Sequence, residues 1–441
     1  MKKILAFILV LVLTLSLAAC SKSTSRRHSK DDDDDDEVVT DQDNGALDDG
    51  SDIVVPDDTP DDQPDGGNDV QPDTNTLKIG FIFLHDESST YDNNFMEAAR
   101  TACGQFEAEM VVRTNVPEST EAYTAALELA NEGCKAVFAN SYGHESFLMQ
   151  AARECPDVQF CHAGGVQAHT AGLSNYHNAY AAIDQGRFLT GVVAGLKINQ
   201  MVDQGMITTK QAKIGFVGTF TYAEVISAYT AFYLGAKSVS PYVTMDVRFT
   251  GAHWDESLEK EAAQALIANG CVVISQYSDS MGAPVACEQA GIPNIPYNIS
   301  TADACPETYL VSARINWVPY FRDMIDSVTG GPALDADYTG SLWNSSVVLN
   351  EVGKNVAPGT AARVAAIQQP LQNGRTHVFD TFSFTVNGQH ISSYMADVDY
   401  DDQFTPDTQV VESDVFYESS YRSAPYFDLR IDGITLLNEK Y

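Results

Sequence analysis

From Lys78 onward the chain alternates short apolar runs with helix-length segments, and the alternation repeats. Lys78-Ile79-Gly80-Phe81 recurs as Lys213-Ile214-Gly215-Phe216, 135 positions later, each time opening a strand-like run. Ala125-Ala126-Leu127 leading to Gly133-Cys134 matches Ala262-Ala263 leading to Gly270-Cys271, where a helix ends at glycine and a buried strand begins. Val158-Gln159-Phe160 similarly corresponds to the run at 292–299, after helices ending near Glu154 and Ala290. Strands that alternate with helices of this length predict right-handed βαβ units and parallel sheets.

The repeat predicts two similar α/β lobes facing each other. Residues 77–182 and 306–340 form the first lobe in this reading, with 309–315 as a strand and 317–328 as a helix closed by Gly330-Gly331. Residues 183–305 and 341–390 form the second, with a helix over 361–371 and a strand over 378–386. Residues 391–441, rich in Tyr and Asp, do not fit the repeat and are left unassigned. Ligands of open parallel sheets sit at the carboxyl ends of strands and favour domain interfaces. The polar strand tips at 85–92, 140–145, 219–224, 276–280 and 298–301 are therefore expected to meet in one interlobe cleft. The stretch 251–282 holds two such tips, which places Trp254, Gln276 and Asp279 near that cleft.

Composition changes the picture mainly before residue 77. Lys2 and Lys3, an apolar run to Leu17 and small residues before Cys20 describe a secretory leader over 1–19, too short for a spanning helix. Its end, Leu17-Ala18-Ala19-Cys20, resembles a bacterial lipobox, which implies cleavage before Cys20 and lipid on that residue. Residues 20–76 then read as a disordered acidic tether: 31–75 hold 19 acids and no Lys or Arg, and such a segment cannot bury enough apolar surface to offset its ordering entropy. Calcium binding by the Asp31 to Asp36 run is the weaker reading, because a flexible run must first be ordered. The tether accounts for much of the net charge of -35. With no clustered Lys and Arg, nucleic acid is excluded as a partner.

Candidate chemistry is that of binding rather than catalysis. The chain has no Gly-x-Ser-x-Gly, P-loop, His-Glu-x-x-His or Cys-x-x-Cys pattern, so no catalytic residue, metal or cofactor is expected. His85-Asp86-Glu87 reads as a solvated loop, and Asp255 as the N-cap of a helix beginning at Glu256. Of eight cysteines, seven remain beyond Cys20, so at least one thiol is free. Cys155 and Cys161 could bridge a turn, whereas Cys134 and Cys271 read as core. Trp254, Trp317, Tyr91 and Tyr142 lie at strand tips or helix starts, where flat faces suit a planar heterocycle. Gln276 and Asn316 could pair with an adenine edge, and Asp279 could accept an exocyclic amine or a ring N–H.

These residues resemble the basic membrane lipoproteins, purine-binding receptors of ABC importers, over roughly 77–390. The resemblance is carried by Gly215-Phe216-Val217-Gly218, the run 231–241, Trp254-Asp255-Glu256, Ile274-Ser275-Gln276-Tyr277-Ser278-Asp279-Ser280 and Asn316-Trp317-Val318-Pro319-Tyr320. It implies an α/β fold of the type I periplasmic-binding-protein kind, with two similar lobes of parallel β-sheet flanked by helices and joined by a hinge. The Gln-x-x-Asp-Ser and Asn-Trp-x-Pro-Tyr patterns resemble the branch that takes free purine bases. The nucleoside branch has Asp-x-Ser-Phe-Asn near the first strand and a Lys in the region of 313–316. Here the first motif reads Ser88-Ser89-Thr90-Tyr91-Asp92, and no Lys occupies the second region.

The expectation is a monomeric, lipid-anchored receptor on the extracytoplasmic face of the cell membrane. It would close on an adenine-like base or nucleoside and present it to an ABC permease. Tyr91 and Trp254 would stack on the ring, Gln276, Asp279 and Asn316 would read its edge, and Asp92, Asn298, Tyr142 and Trp317 would complete the cleft. The alternatives are a sugar receptor of the same fold, a nucleoside-processing enzyme, or a surface sensor without a transporter.

Overall fold

The apolar runs become strands and the segments after them cross over as helices. The computed structural model describes residues 76–399 and 407–439, all within one unit, Val70–Tyr441. Its first half runs β1 (Lys78–Ile82), α1 (Thr90–Gln105), β2 (Glu109–Arg113), α2 (Thr120–Asn131), β3 (Ala136–Ala139), α3 (Glu145–Glu154), β4 (Gln159–Ala163) and β5 (Tyr176–Ala181). Helix α4 (Ile183–Asp203) then leads to β6 (Lys213–Gly218), α5 (Ala223–Val239), β7 (Thr244–Phe249), α6 (Glu256–Ala268), β8 (Val273–Gln276), α7 (Gly282–Ala290) and β9 (Asn294–Ile295). The order β2-β1-β3-β4 in the first sheet recurs as β7-β6-β8-β9 in the second. Ile79 pairs with Ala136 as Ile214 pairs with Val273, all strands parallel. The internal repeat is thus a repeat of topology.

The later elements depart from the sequence expectation in three places. Only Ala313–Ile315 of the run 309–315 is a strand, β10, and it pairs antiparallel with β12 (Val347–Leu349). Parallel bridges from Asn294 to Tyr309 and from Tyr297 to Ala313 hold that run beside the second sheet. The chain rejoins the first sheet only with α8 (Val318–Val328) and β11 (Asp337–Gly340), which pairs with β5. No strand forms over 378–386: after α9 (Thr360–Gln372) the backbone turns at Asp380, whose side chain accepts from the Phe382 amide, and again where Asp432 accepts from Thr385 and Gly388.

The unassigned tail proves structural. Strand β13 (Met395–Ala396) pairs with β14 (Thr408–Gln409), and β15 (Val411–Glu412) with β16 (Val415–Phe416). The last strand, β17 (Ile434–Leu436), joins β7 and closes the edge of the second sheet, as β11 closes the first.

The main core runs through both sheets and is joined by α4 and α5. Helix α4 is buried nearly all round, and glycines let the two helices touch backbone to backbone. A Cβ on Gly235 would lie 1.9 Å from the Phe188 carbonyl oxygen, and one on Gly191 2.0 Å from that of Phe232. All seven described cysteines are free thiols, which corrects the possible Cys155 to Cys161 bridge. Cys155 caps the end of α3, while Cys161 stands inside β4, fully buried. Cys134 and Cys271 are buried at the two matching strand starts. Among the described residues no helix is long and apolar enough to cross a membrane. The leader, Cys20 and the acidic stretch to residue 75 lie outside the described residues.

Candidate functional site

The carboxyl ends of both sheets converge on one cavity of about 110 Å³. Leu84 and His85 arrive just beyond β1, Ser89, Tyr91 and Asp92 from the start of α1, Glu118 before α2, and Ser141 and Tyr142 beyond β3. The second sheet contributes Glu224 at the start of α5, His253 and Trp254 beyond β7, Tyr277 and Asp279 beyond β8, and Tyr297 beyond β9. This is the strand-end location at which parallel sheets hold ligands.

Aromatic faces and carboxylates alternate around the cavity. The Tyr91 hydroxyl donates to the Asn140 carbonyl at 2.8 Å, fixing its ring edge-on to Phe95. Trp254 is 45% exposed, its ring 6.4 Å from that of His85, and so it lies at the mouth. Tyr142 stacks on Tyr222 at 6.4 Å. Tyr180 and Tyr277 both donate their hydroxyls to Glu224. Behind them the fully buried Arg187 guanidinium lies 3.7 Å from the Tyr297 ring centre and donates to the Gln276 carbonyl at 2.9 Å. Cation–π contact of this kind braces the tyrosine wall.

Three of the four carboxyl groups are held differently. Burial works against a charge on Asp92, but bonds from His85, Ser89 and Asn140 outweigh it and hold the carboxyl below its usual range. The bond to Asp92 in turn raises the His85 imidazole. Glu118 is likewise opposed by burial and held low by the Ser141 hydroxyl and the Gly143 amide. Asp279 is the contrast: burial, with the charges of Glu259, Asp92 and Glu224 around it, pushes it well above the ordinary carboxylate range. A neutral carboxyl presents one donor and one acceptor side by side.

The tertiary structure divides the sequence-predicted residues. Tyr91, Asp92, Tyr142, Trp254 and Asp279 line the cavity; Gln276, Asn298, Asn316 and Trp317 do not. The Gln276 amide is turned into its own loop, donating to the Ser278 and Ser280 carbonyls at 3.0 and 3.2 Å. Asn298 has positive φ, and because its neighbour Tyr297 faces the cavity it lines a separate recess with Asn94 and Asn350. Asn316 accepts from the Val318 amide and donates to the Ser345 carbonyl, securing the start of α8. Trp317 is 2% exposed and stacks on Phe95 at 4.4 Å, inside the core.

Several lining residues went unselected. His85, read as part of a solvated loop, lines the cavity through its bond to Asp92. Glu224 lay in a tip that the repeat did mark, whereas Tyr277 and Tyr297 follow strands at positions a core aromatic could equally occupy. Asp255 caps α6 through the Leu258 amide at 2.9 Å, as its position implied. Beside the cavity, a chamber of about 300 Å³ shares Glu118, Tyr142, Glu224 and His253 with it. Its far wall is Arg422, Ala424 and Pro425 of the tail. Among the described residues no group of His, Cys, Asp and Glu could hold a metal ion.

The chain is similar to known solute-binding proteins. A 249-residue stretch, 56% of the chain, is 30% identical to a "putative ABC transporter glucose-binding protein" of Haloferax volcanii and spans 60% of that protein. A 258-residue stretch, 58% of the chain, is 28% identical to a "purine-binding protein" of Brucella abortus and spans 69% of it. An ABC transporter solute-binding protein of Conexibacter woesei shares the fold, with a TM-score of 0.58 at 21% identity, over 68% of this chain and 98% of that one. The family model described as "ABC transporter substrate-binding protein PnrA-like" matches residues 80–337, and the chain belongs to this Bmp family of solute-binding proteins.

Proposed function

We propose that this extracytoplasmic solute-binding protein takes a purine base, adenine-like, or its nucleoside, and hands it to an ABC permease. The observation that carries the reading is the buried Asp279 carboxyl, held above its usual range and set among aromatic faces. In its protonated form it pairs a donor with an acceptor and so matches the N6/N7 edge of adenine as a carboxamide would, while Tyr91 and Trp254 offer flat surfaces for the ring. Asp92 holds His85, and through it the Trp254 side of the mouth; Tyr142 flanks the entrance. Ionised Glu118 accepts from ligand N–H or O–H groups. Lobe closure would sequester the solute and create the shape that the permease recognises. The Brucella relative, named for purine binding, and a "nucleoside-binding protein" of Lactococcus lactis, 27% identical over 172 residues, support it. Lipid on Cys20 would hold the receptor at the membrane, with residues 20–76 as tether and a single copy of the chain as the working unit.

A sugar receptor is the second reading. Carboxylates and aromatic faces also hold hydroxylated rings, and the Haloferax relative is named for glucose. Thermal-shift screening against bases, nucleosides and sugars separates the two, since a ligand bound only by the folded state raises the melting point as ln(1 + [L]/Kd). Shifts with purines and none with sugars are expected; shifts with sugars alone would overturn the purine reading.

A further inference from the structure

The cavity at the strand ends encloses about 110 Å³ and the chamber beside it about 300 Å³. Small-molecule sites commonly enclose about 300–1,000 Å³, so the cavity alone is small for a whole ligand and the two spaces together are not. They share part of their lining, since Glu118, Tyr142, Glu224 and His253 belong to both. The chamber's far wall is built by the tail, beyond the residues 80–337 that the family model matches. Arg422 donates to the Ala424 and Pro425 carbonyls at 3.1 and 3.2 Å, and the Ser423 amide donates to Asp337 Oδ1 at 2.9 Å. The wall is thus tied both to itself and to β11.

The chemistry at the junction is that of a sugar site rather than a phosphate site. Glu118 is exposed, and its Oε1 accepts from the Ser141 hydroxyl at 2.6 Å and the Gly143 amide at 2.7 Å; among the described residues its Oε2 has no partner. Tyr142 and Tyr222 are 52% and 50% exposed, and Phe220, Tyr222 and Tyr142 stack in series at 5.2 and 6.4 Å. Aromatic surface beside a carboxylate suits the C–H groups and hydroxyls of a sugar ring. A phosphate finds no match: no Lys lines either space among the described residues, Arg422 is 2% exposed and donates to tail carbonyls, and Glu118 carries charge of the same sign. Asp279 lines the cavity and not the chamber. A purine whose N6/N7 edge it reads turns the opposite edge, with N3 and N9, away from it, and N9 is the atom that carries a sugar.

We propose that cavity and chamber form one bipartite site for a neutral purine glycoside, with the base in the cavity, the sugar in the tail-walled chamber, and Glu118 at their junction accepting a sugar hydroxyl and repelling a phosphate. This rests on the purine reading above. It assigns the chamber a ligand class, gives the tail a part in binding, and separates nucleosides from free bases and from nucleotides alike. Preference over a free base follows from the added aromatic contact and the hydroxyl bond; preference over a nucleotide follows from like charge at Glu118, since specificity is set by repulsion of the wrong ligand as well as attraction of the right one.

The test is calorimetry on the full chain with adenine, adenosine and adenosine 5′-monophosphate. Adenosine is expected to bind about tenfold or more tighter than either of the others. Glu118→Gln removes the charge and keeps the shape, and should bring the monophosphate to within about threefold of adenosine. Ala424→Phe fills the chamber from its far wall and should cut the ratio of adenosine to adenine affinity by about tenfold. Circular dichroism and a melting curve establish that each variant folds, and the comparison of ligands on the parent chain stands without them. Adenosine binding no tighter than adenine would overturn the proposal and leave the purine reading in place. Monophosphate binding as tight as that of adenosine, or ratios unchanged in a folded variant, would overturn it as well. Binding of none of the ligands would remove the purine reading and the proposal together.

Discussion

At the scale of single residues, the cleft depends on how Asp279 and Trp254 are held. Trp254 stands half-exposed at the mouth, free to cover a bound ring. Base–aromatic stacking contributes about 1–3 kcal/mol, so Trp254→Ala should weaken purine binding by about tenfold or more in calorimetry; unchanged affinity would remove Trp254 from the site. For Asp279, the neutral form offers the donor and acceptor pair. Asp279→Asn preserves that pair and should bind within about tenfold of the parent, whereas Asp279→Ala should lose more. Because its folded value is raised, the neutral form is present below that value and lost above it. Affinity in the parent should therefore fall as pH rises through the raised Asp279 value, and the Asn variant should not follow. A parent affinity flat across that range would mean that the ionised carboxylate is the binding form.

At the scale of elements, two contacts set the frame on which those residues sit. Asp255 caps α6 directly after Trp254, and its amide is held in turn by Glu259 at 3.2 Å. Loss of such a cap costs about 1 kcal/mol, so Asp255→Ala should lower the urea midpoint by a corresponding amount and loosen Trp254. The α4 to α5 contact is less forgiving. Its glycines admit carbonyl oxygens where a Cβ would stand, and Gly235→Ala forces the helices apart at a cost of about 1–3 kcal/mol, to be read by denaturant unfolding. Full stability in that variant would show that the helices slide without penalty. Neither helix shows a one-sided apolar stripe, since both are buried nearly all round, so the face each turns to its neighbour was not legible. That depends on which side chain lies opposite, and the repeat does not encode it.

At the scale of the whole molecule, the repeated sheets bring their carboxyl ends to one cavity, and the tail completes both the second sheet and the wall of the adjoining chamber. Outside this frame lies the leader with Cys20, where the proposal is an anchor. Cys20→Ser should move the protein from the membrane to the soluble fraction on centrifugation while leaving ligand affinity unchanged. Retention in the membrane fraction would mean that something other than lipid on Cys20 holds it.

The sequence by itself determined the βαβ alternation, the two-lobed repeat, the cleft at the strand ends and the family. Each of these rests on periodicities and motifs that are local or recur at a fixed offset. Tyr91, Asp92, Tyr142, Trp254 and Asp279 could be selected because they stand at polar strand tips. Only the tertiary structure decided that Gln276 spends its amide on its own loop and Asn316 on the distant Ser345 carbonyl, that Trp317 stacks in the core, and that Glu224, Tyr277 and Tyr297 form the facing wall. The physical reason is that a side chain's orientation is set by partners far away in the chain: Arg187 reaches Gln276 across 89 positions, and no local pattern records that contact.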